Sequence, residues 1–367
     1  LRSRLLTVRI AAPSSVARPV QPGRARSAVV AGAVLFLLAQ AGFNHAVRTE
    51  AIPVRDPVFA EKFDLFRQRA AFFAPPTPDR PTRVLAVGSS RTHLAFDAGR
   101  FAAAGQNVEA FNFGCPAAGP MTSALYLRRL FAAGATADLV LVELHPGFLT
   151  PHTPAFEGQW LHAYRLREDE PALLRGFGHD QPTPPHHGWR GYLTAFGAYR
   201  FAVLNRYWPE MLPCPFGLTV GVRSDPLGFV PGIDLSPADR PKALERTRVQ
   251  YSPVLAGYDV GGPGVAAVRD MLAQCKGRDI RTAVVVSPES SEFRSWYGDA
   301  GRATFARFAA ELAAEFGAGV IDARDWVPDA AIADGHHLTP AGAGVFTDRL
   351  WQWSVASGQW SAMKGGS

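Results

Sequence analysis

Cysteine is scarce: Cys115, Cys214 and Cys275 are the only three in 367 residues. Thiols this few and this scattered exclude a metal knuckle and a multi-disulfide framework. One disulfide outside the cytoplasm and three buried thiols are both compatible with them. No Gly-x-Gly-x-x-Gly and no phosphate-binding Gly-Lys-Ser/Thr pattern follows an apolar run, which removes the usual sequence basis for a nucleotide site. No internal repeat is present. Acid is missing from the first 26 residues, which carry Arg2, Arg4, Arg9, Arg18, Arg24 and Arg26. The rest of the chain balances 32 basic against 32 acidic residues, so the net charge of +6 belongs to this tail. The remainder offers no electrostatic footprint for nucleic acid.

Directly after the arginines, Ser27 to Phe43 has no charge and one strongly polar side chain, Gln40. Its length is at the short end of a membrane span of roughly 17–25 residues. Positive charge before it and little after it orients the N-terminus inside and the bulk of the chain outside. A cleavable signal peptide ending at Ala39-Gln40-Ala41 is the rival to an uncleaved anchor, and a buried core helix is the plain alternative. The expected organisation is a basic cytoplasmic tail over 1–26, an anchor or signal over 27–45 and a linker over 46–82. A domain over 83–357, interrupted at 146–262, and a tail over 358–367 follow. Within the linker, Phe63, Phe66, Ala70 and Phe73 predict a short amphipathic helix over 64–73.

Apolar content of 47% supports a full core. Short apolar runs at 84–87, 108–113, 138–144, 280–286 and 319–322 read as strands. They alternate with helical patterns at 97–104, 123–133, 265–274 and 304–316, and Thr339-Pro340 opens a last helix. Such alternation predicts a three-layer α/β/α sandwich around a parallel five-stranded sheet, preceded by one apolar N-terminal helix. Positions 145–262, rich in Pro, Gly, His and aromatics, interrupt it with only a helical scrap near 194–207. They are expected to pack over the C-terminal edge of the sheet.

The strand Val84–Val87 stops at Gly88-Ser89-Ser90. A tight turn at a strand's C-terminal end places the next side chain at the ligand edge of the sheet, where Ser90 is positioned as a nucleophile. The same turn also reads as a plain strand-to-helix connection with Ser90 as its N-cap. A serine nucleophile needs a histidine to take its proton and a carboxylate to orient that histidine. Asp334-Gly335-His336-His337 offers both in one loop at the same sheet edge, with His337 as base, Asp334 as its orienter and His336 as a rival base at poorer spacing, expected exposed or locally hydrogen-bonded. His162, His179, His186 and His187 lie in a Pro-rich stretch without ligand spacing, so no metal is expected there.

These residues resemble the SGNH, or GDSL-like, hydrolase superfamily. Gly88-Ser89-Ser90 is similar to its first block, Gly-Asp-Ser. Asn112-Phe113-Gly114 resembles its second, and Asp334 to Gly342 its fifth. The closest flavour is a membrane-anchored subgroup related to alginate O-acetylation and D-alanyl-transfer proteins. The resemblance covers 83–145 and 280–350. It implies a Ser90–His337–Asp334 site with the Ser90 and Gly114 amides binding the oxyanion. It implies an esterase or O-acyltransferase without cofactor or metal, acting outside the cytoplasm on an acyl ester or polysaccharide. Partners would be the membrane and envelope polysaccharide-assembly proteins. The third block departs from the family: Val142-Glu143-Leu144-His145-Pro146 replaces Gly-x-Asn-Asp, removing the Asn donor. His145 is the candidate replacement donor, and Arg91, Asn112, Glu143 and His145 are candidate substrate contacts; Glu143 and His145 also read as plain polar residues flanking a strand end, and Arg91 as orienting the nucleophile turn or as one half of a surface salt bridge. The altered third block also fits a catalytically silent scaffold or glycan-binding protein.

Overall fold

The computed structural model describes residues 22–75, 77, 79–151, 157, 161, 165–180, 189–212, 224–232 and 234–357. Cys214, His162, His186, His187 and most of both tails lie outside the described residues.

Five strands form one sheet: β1 (Thr82–Val87), β2 (Val108–Asn112), β3 (Leu139–Leu144), β4 (Arg281–Val286) and β5 (Gly319–Asp322). Their order is β2-β1-β3-β4-β5 and every pairing is parallel. Side chains alternate across it, as a pleated strand requires. Leu85, Val87, Phe111, Val140, Val142, Val284 and Val286 enter one core, against α5 (Pro120–Ala132), α9 (Pro263–Lys276) and α11 (Gly298–Phe316). Val84, Ala86, Ala110, Leu139, Leu141, Ala283, Val285 and Ile321 enter the other, with α3 (Ser90–Ala95), α4 (Ala98–Ala104) and α12 (Pro340–Ala356). Both faces are covered, which is why the strands read as continuous apolar runs. The order of the strands reverses between β1 and β3, and ligands of open parallel sheets bind outside the strand ends at such a point.

α1 (Pro22–Arg48) is long and apolar enough to cross a membrane. Val29, Val30, Leu35, Phe36 and Leu38 are each more than half exposed, so the buried-core-helix alternative does not hold. The end of α1 meets α7 (Trp189–Tyr207): Phe43 stacks on Phe196 at 4.4 Å, and Gln40 accepts the Phe196 N–H at 3.0 Å.

The helix read over 64–73 lies earlier, as α2 (Pro57–Phe66), followed by a separate 3-10 turn at Ala70–Phe73. Asp56 caps α2 and Pro57 opens it, a start signal that outranks the aromatic spacing. Phe59, Phe66 and Phe72 sit in the first core, so this part of the stretch read as a linker is packed on the sheet. Lys62 donates to the carbonyls of Asn112, at 3.0 Å, and Gly228, joining α2 to the end of β2. Burial lowers its ammonium to about 8.

The interruption carries α6 (Glu170–Gly176), α7 and α8 (Arg240–Leu255). Residues near its end attach to the sheet: Asn112 N–H donates to Leu227 O at 2.9 Å and Val230 N–H to His93 O at 3.3 Å. Cys115 and Cys275 are buried free thiols, both pushed up to about 12 by burial.

Candidate active site

The turn after β1 is built around a carboxylate from β3. Glu143 accepts from the Ser89 N–H at 2.7 Å, the Ser89 hydroxyl at 2.8 Å, the Thr92 N–H at 3.3 Å and the Thr92 hydroxyl at 2.6 Å. A Cβ on Gly88 would run into Thr92 Oγ1 and Glu143, so glycine is required there by close approach. Ser89, not Ser90, caps α3: its hydroxyl accepts the Arg91 N–H at 3.1 Å. Ser90 is the first helical residue. Its hydroxyl is left free of capping duty and meets His337 Nε2 at 2.8 Å.

The loop that carries Asp334 and His337 lies between β5 and α12. An isolated bridge between Ile332 and Leu338 closes it, and the Ala333 N–H donates to His337 O at 2.8 Å. Gly335 takes φ of +103°, a conformation that favours glycine. Asp334 Oδ1 accepts the backbone N–H groups of His336 at 3.3 Å and His337 at 3.0 Å. Asp334 Oδ2 lies 2.7 Å from His337 Nδ1. Burial alone would raise the Asp334 pKa. The imidazoles of His336 and His337 and the hydrogen bonds from His337 outweigh it and hold the carboxylate well below its usual range. An ionised Asp334 Oδ2 can only accept, so this geometry suits a ring proton on His337 Nδ1 and leaves Nε2 facing the Ser90 hydroxyl.

Ser90, His337 and Asp334 therefore stand in a continuous hydrogen-bonded line across 247 residues of sequence. They open on a cavity of about 310 Å³, walled by Ser89, Ala117, Phe148, His336 and one face of α8. From α8 come Ala243, Arg246, Thr247, Gln250 and Tyr251, which the sequence reading did not single out. That helix is polar and contains Pro253, so its apolar period is weak.

Several expected roles need correction. Gly114 does not present its amide to the cavity: its N–H donates to Asn112 Oδ1 at 2.9 Å. Ala117, three residues on, lines the cavity with a left-handed φ of +59°. Among the described residues, neither the Ser90 nor the Ala117 N–H meets a protein acceptor. Asn112 is fully buried, and its amide donates to the carbonyls of Thr92 at 2.8 Å and Phe96 at 2.7 Å. It brackets α3 to β2 and does not line this cavity.

Arg91 is 1% exposed. Its guanidinium binds Glu289 at 3.2 Å and the carbonyls of Ser287 at 2.8 Å and Pro288 at 3.2 Å, tying α3 to the turn after β4. Glu143 spends its oxygens on the turn after β1. His145 is 2% exposed; its Nδ1 accepts the Gly147 N–H at 3.0 Å, and its ring stacks on Tyr251 at 5.1 Å. Its Nε2 has no partner among the described residues, and the ring does not line the cavity. Asn112, Arg91 and Glu143 share a physical reason: buried polar groups seek hydrogen-bond partners, and the neighbouring turns supply them, whereas His145 is satisfied in this way only at Nδ1. His336 is likewise buried rather than exposed. Burial pushes both His145 and His336 well below the ordinary imidazole range.

No family model matches the chain, and no curated protein matches it. Among solved structures it is similar to the native aryl esterase of M. smegmatis, with 14% identity and a TM-score of 0.35 over 75% of this chain and 99% of that one. It is similar also to Est24, a carbohydrate acetylesterase from Sinorhizobium meliloti, with 13% identity and a TM-score of 0.33 over 75% and 99%. Likeness at this level carries no weight for the chemistry of this chain.

Proposed function

We propose that the chain is a serine-dependent esterase or O-acyltransferase of SGNH type. The observation that carries this reading is the line from Ser90 Oγ to His337 Nε2, at 2.8 Å, and from His337 Nδ1 to Asp334, at 2.7 Å, opening on a cavity. His337 takes the proton of the Ser90 hydroxyl as Oγ bonds to the ester carbonyl carbon. The carbonyl oxygen becomes the oxyanion, facing the Ser90 and Ala117 amides; one such donor is worth about 3 kcal/mol in serine hydrolases. As the intermediate collapses, the bond to the leaving alkoxide breaks and His337 returns the proton to it. Water, or a sugar hydroxyl, then attacks the acyl-Ser90 ester with His337 again as base.

The exposed apolar helix α1 and the arginine-rich segment before it support a membrane-anchored protein with the sheet domain outside the cytoplasm. An envelope or exported polysaccharide is the substrate class in reach there. A phosphatase reporter fused to the C-terminus is expected to be active only outside the cytoplasm; activity inside would reverse the orientation.

The catalytic test is Ser90→Ala. Hydrolysis of p-nitrophenyl acetate is expected to fall by several orders of magnitude, and His337→Ala and the double variant should fall by about as much, because triad members act as a unit. Melting should be little changed. Full activity in Ser90→Ala, or strictly additive losses, would leave the silent scaffold as the better reading.

A further inference from the structure

His336 has no part in the relay, yet it occupies the best-enclosed position beside it. It is 6% exposed, and its ring lies 4.0 Å from that of His337, 5.1 Å from Tyr251 and 5.6 Å from Phe293. Its Nδ1 is buried with no hydrogen-bond partner among the described residues. That nitrogen stands 3.7 Å from Asp334 Oδ1, too far for a hydrogen bond. His336 thus turns an unsatisfied ring nitrogen toward a carboxylate. A lone pair there repels the carboxylate oxygen. A cation between the two would turn that repulsion into two bonds.

The donor atoms of Asp334, His336 and His337 all lie within 4.8 Å of one another. Bonds of zinc to imidazole nitrogen and carboxylate oxygen run to about 2.0–2.2 Å, so two donors on one ion can stand up to about 4 Å apart. The 3.7 Å between Asp334 and His336 fits that span. The 2.7 Å between Asp334 and His337 opens as a metal replaces the hydrogen bond. Two imidazoles and one carboxylate favour zinc over magnesium or calcium.

We propose that Asp334, His336 and His337 form an inhibitory site for a zinc-type divalent cation. The inhibitory part rests on the reading of His337 as the base. A neutral imidazole carries one ring proton. With the metal on His337 Nδ1, that proton moves to Nε2, with no change in charge or redox state of the ring. Nε2 then donates to Ser90 Oγ and has no lone pair to take the serine proton. The ion's remaining position is left to water.

The test uses the full chain in detergent micelles. Zinc chloride binding is measured by calorimetry on Ser90→Ala, which removes turnover and keeps all three ligands. One zinc is expected to bind, and His336→Phe in that background should weaken it by at least about 100-fold, since even outer-shell losses cost metal sites 10–100-fold. If the Phe variant melts early, His336→Gln serves in its place. In the otherwise unaltered enzyme, zinc at ten times its dissociation constant should lower p-nitrophenyl acetate hydrolysis about tenfold by mass action. EDTA should restore it, and magnesium chloride should do nothing. Undiminished zinc binding in both His336 variants would overturn the proposal, as would bound zinc that leaves an active enzyme unaffected. A protein that binds zinc through His336 but hydrolyses no ester would keep the metal site and overturn the esterase reading instead.

Discussion

The turn that carries Ser90 is held from outside, whereas the loop that carries His337 is held mostly by itself. Ser89 and Thr92 hand four hydrogen bonds to Glu143, a residue more than fifty positions away on β3. Asn112 and Arg91 then fasten α3 to β2 and to the turn after β4. In the base loop, Asp334 takes its donors from the two histidines that follow it, and the bridge at Ile332 and Leu338 closes the loop locally. A local arrangement survives small movements of the sheet, because its members move together. A non-local one converts any shift of β3 against β1 into a shift of Ser90. The central placing of β3, between β1 and β4, is what keeps that shift small.

The largest effect expected from breaking the comparison comes from the local side. Asp334→Asn keeps the shape of the loop but offers an amide where His337 needs an acceptor or the wrong tautomer follows. By analogy with serine-protease triads, kcat should fall about 10⁴-fold. The same variant has a pH signature. The Asp334 carboxyl is held below its ordinary value of 3.8, so the folded state binds fewer protons than the unfolded one in the window beneath that value. Its stabilising contribution is therefore complete above about pH 4 and disappears as pH falls through the folded-state value. Melting curves of the parent and Asp334→Asn should differ above pH 4 and converge in acid. A gap that widened in acid would contradict the sign.

The same division explains what the sequence discloses. All five strands and the helices around them are legible, because a doubly covered parallel sheet demands continuous apolar runs, and runs such as Leu139–Leu144 have no other use. The base loop is legible too, since Asp334 and His337 lie three residues apart and their contact is settled within one turn. Glu143 is not: nothing at Val142-Glu143-Leu144 says whether its carboxylate faces a substrate or the turn after β1. Gly114 misleads for a related reason, as the neighbouring Asn112 side chain reaches forward two residues and occupies its amide. Ala117 has as its only sequence signal the turn-rich stretch Cys115-Pro116-Ala117-Ala118-Gly119, whose left-handed residue cannot be chosen by composition. α8 escapes notice because its contact with the cavity is made by Arg246, Thr247 and Gln250, ordinary surface residues anywhere else.

The smaller effect comes from the non-local side, and Glu143→Gln isolates it. Four donors face the Glu143 oxygens, and a carboxylate accepts from all of them. Glutamine brings an NH2 group to at least one position where an N–H or O–H already points. Placed at Oε1, it meets the Ser89 hydroxyl, which must turn to accept and loses its own acceptor, while the other three bonds lose the carboxylate's charge, a cost of about 1–3 kcal/mol. Part of that cost falls on the folded state and should appear as a lower melting temperature. The rest falls on the geometry of Ser90, which leaves the turn less well aimed at His337. A loss of about 2 kcal/mol in the transition state is roughly 30-fold in rate. Glu143 is 7% exposed and does not line the cavity, so KM for p-nitrophenyl acetate and for an acetylated sugar should both stay within a factor of about two while kcat falls. Glu143→Asp, which keeps the charge but retracts it, should recover part of kcat and not KM. If Glu143 instead held a substrate hydroxyl, Glu143→Gln would raise KM for the sugar ester alone and leave kcat for p-nitrophenyl acetate untouched. That result would move Glu143 from the frame of the nucleophile turn to the substrate, and would remove the contrast between the two halves of the site.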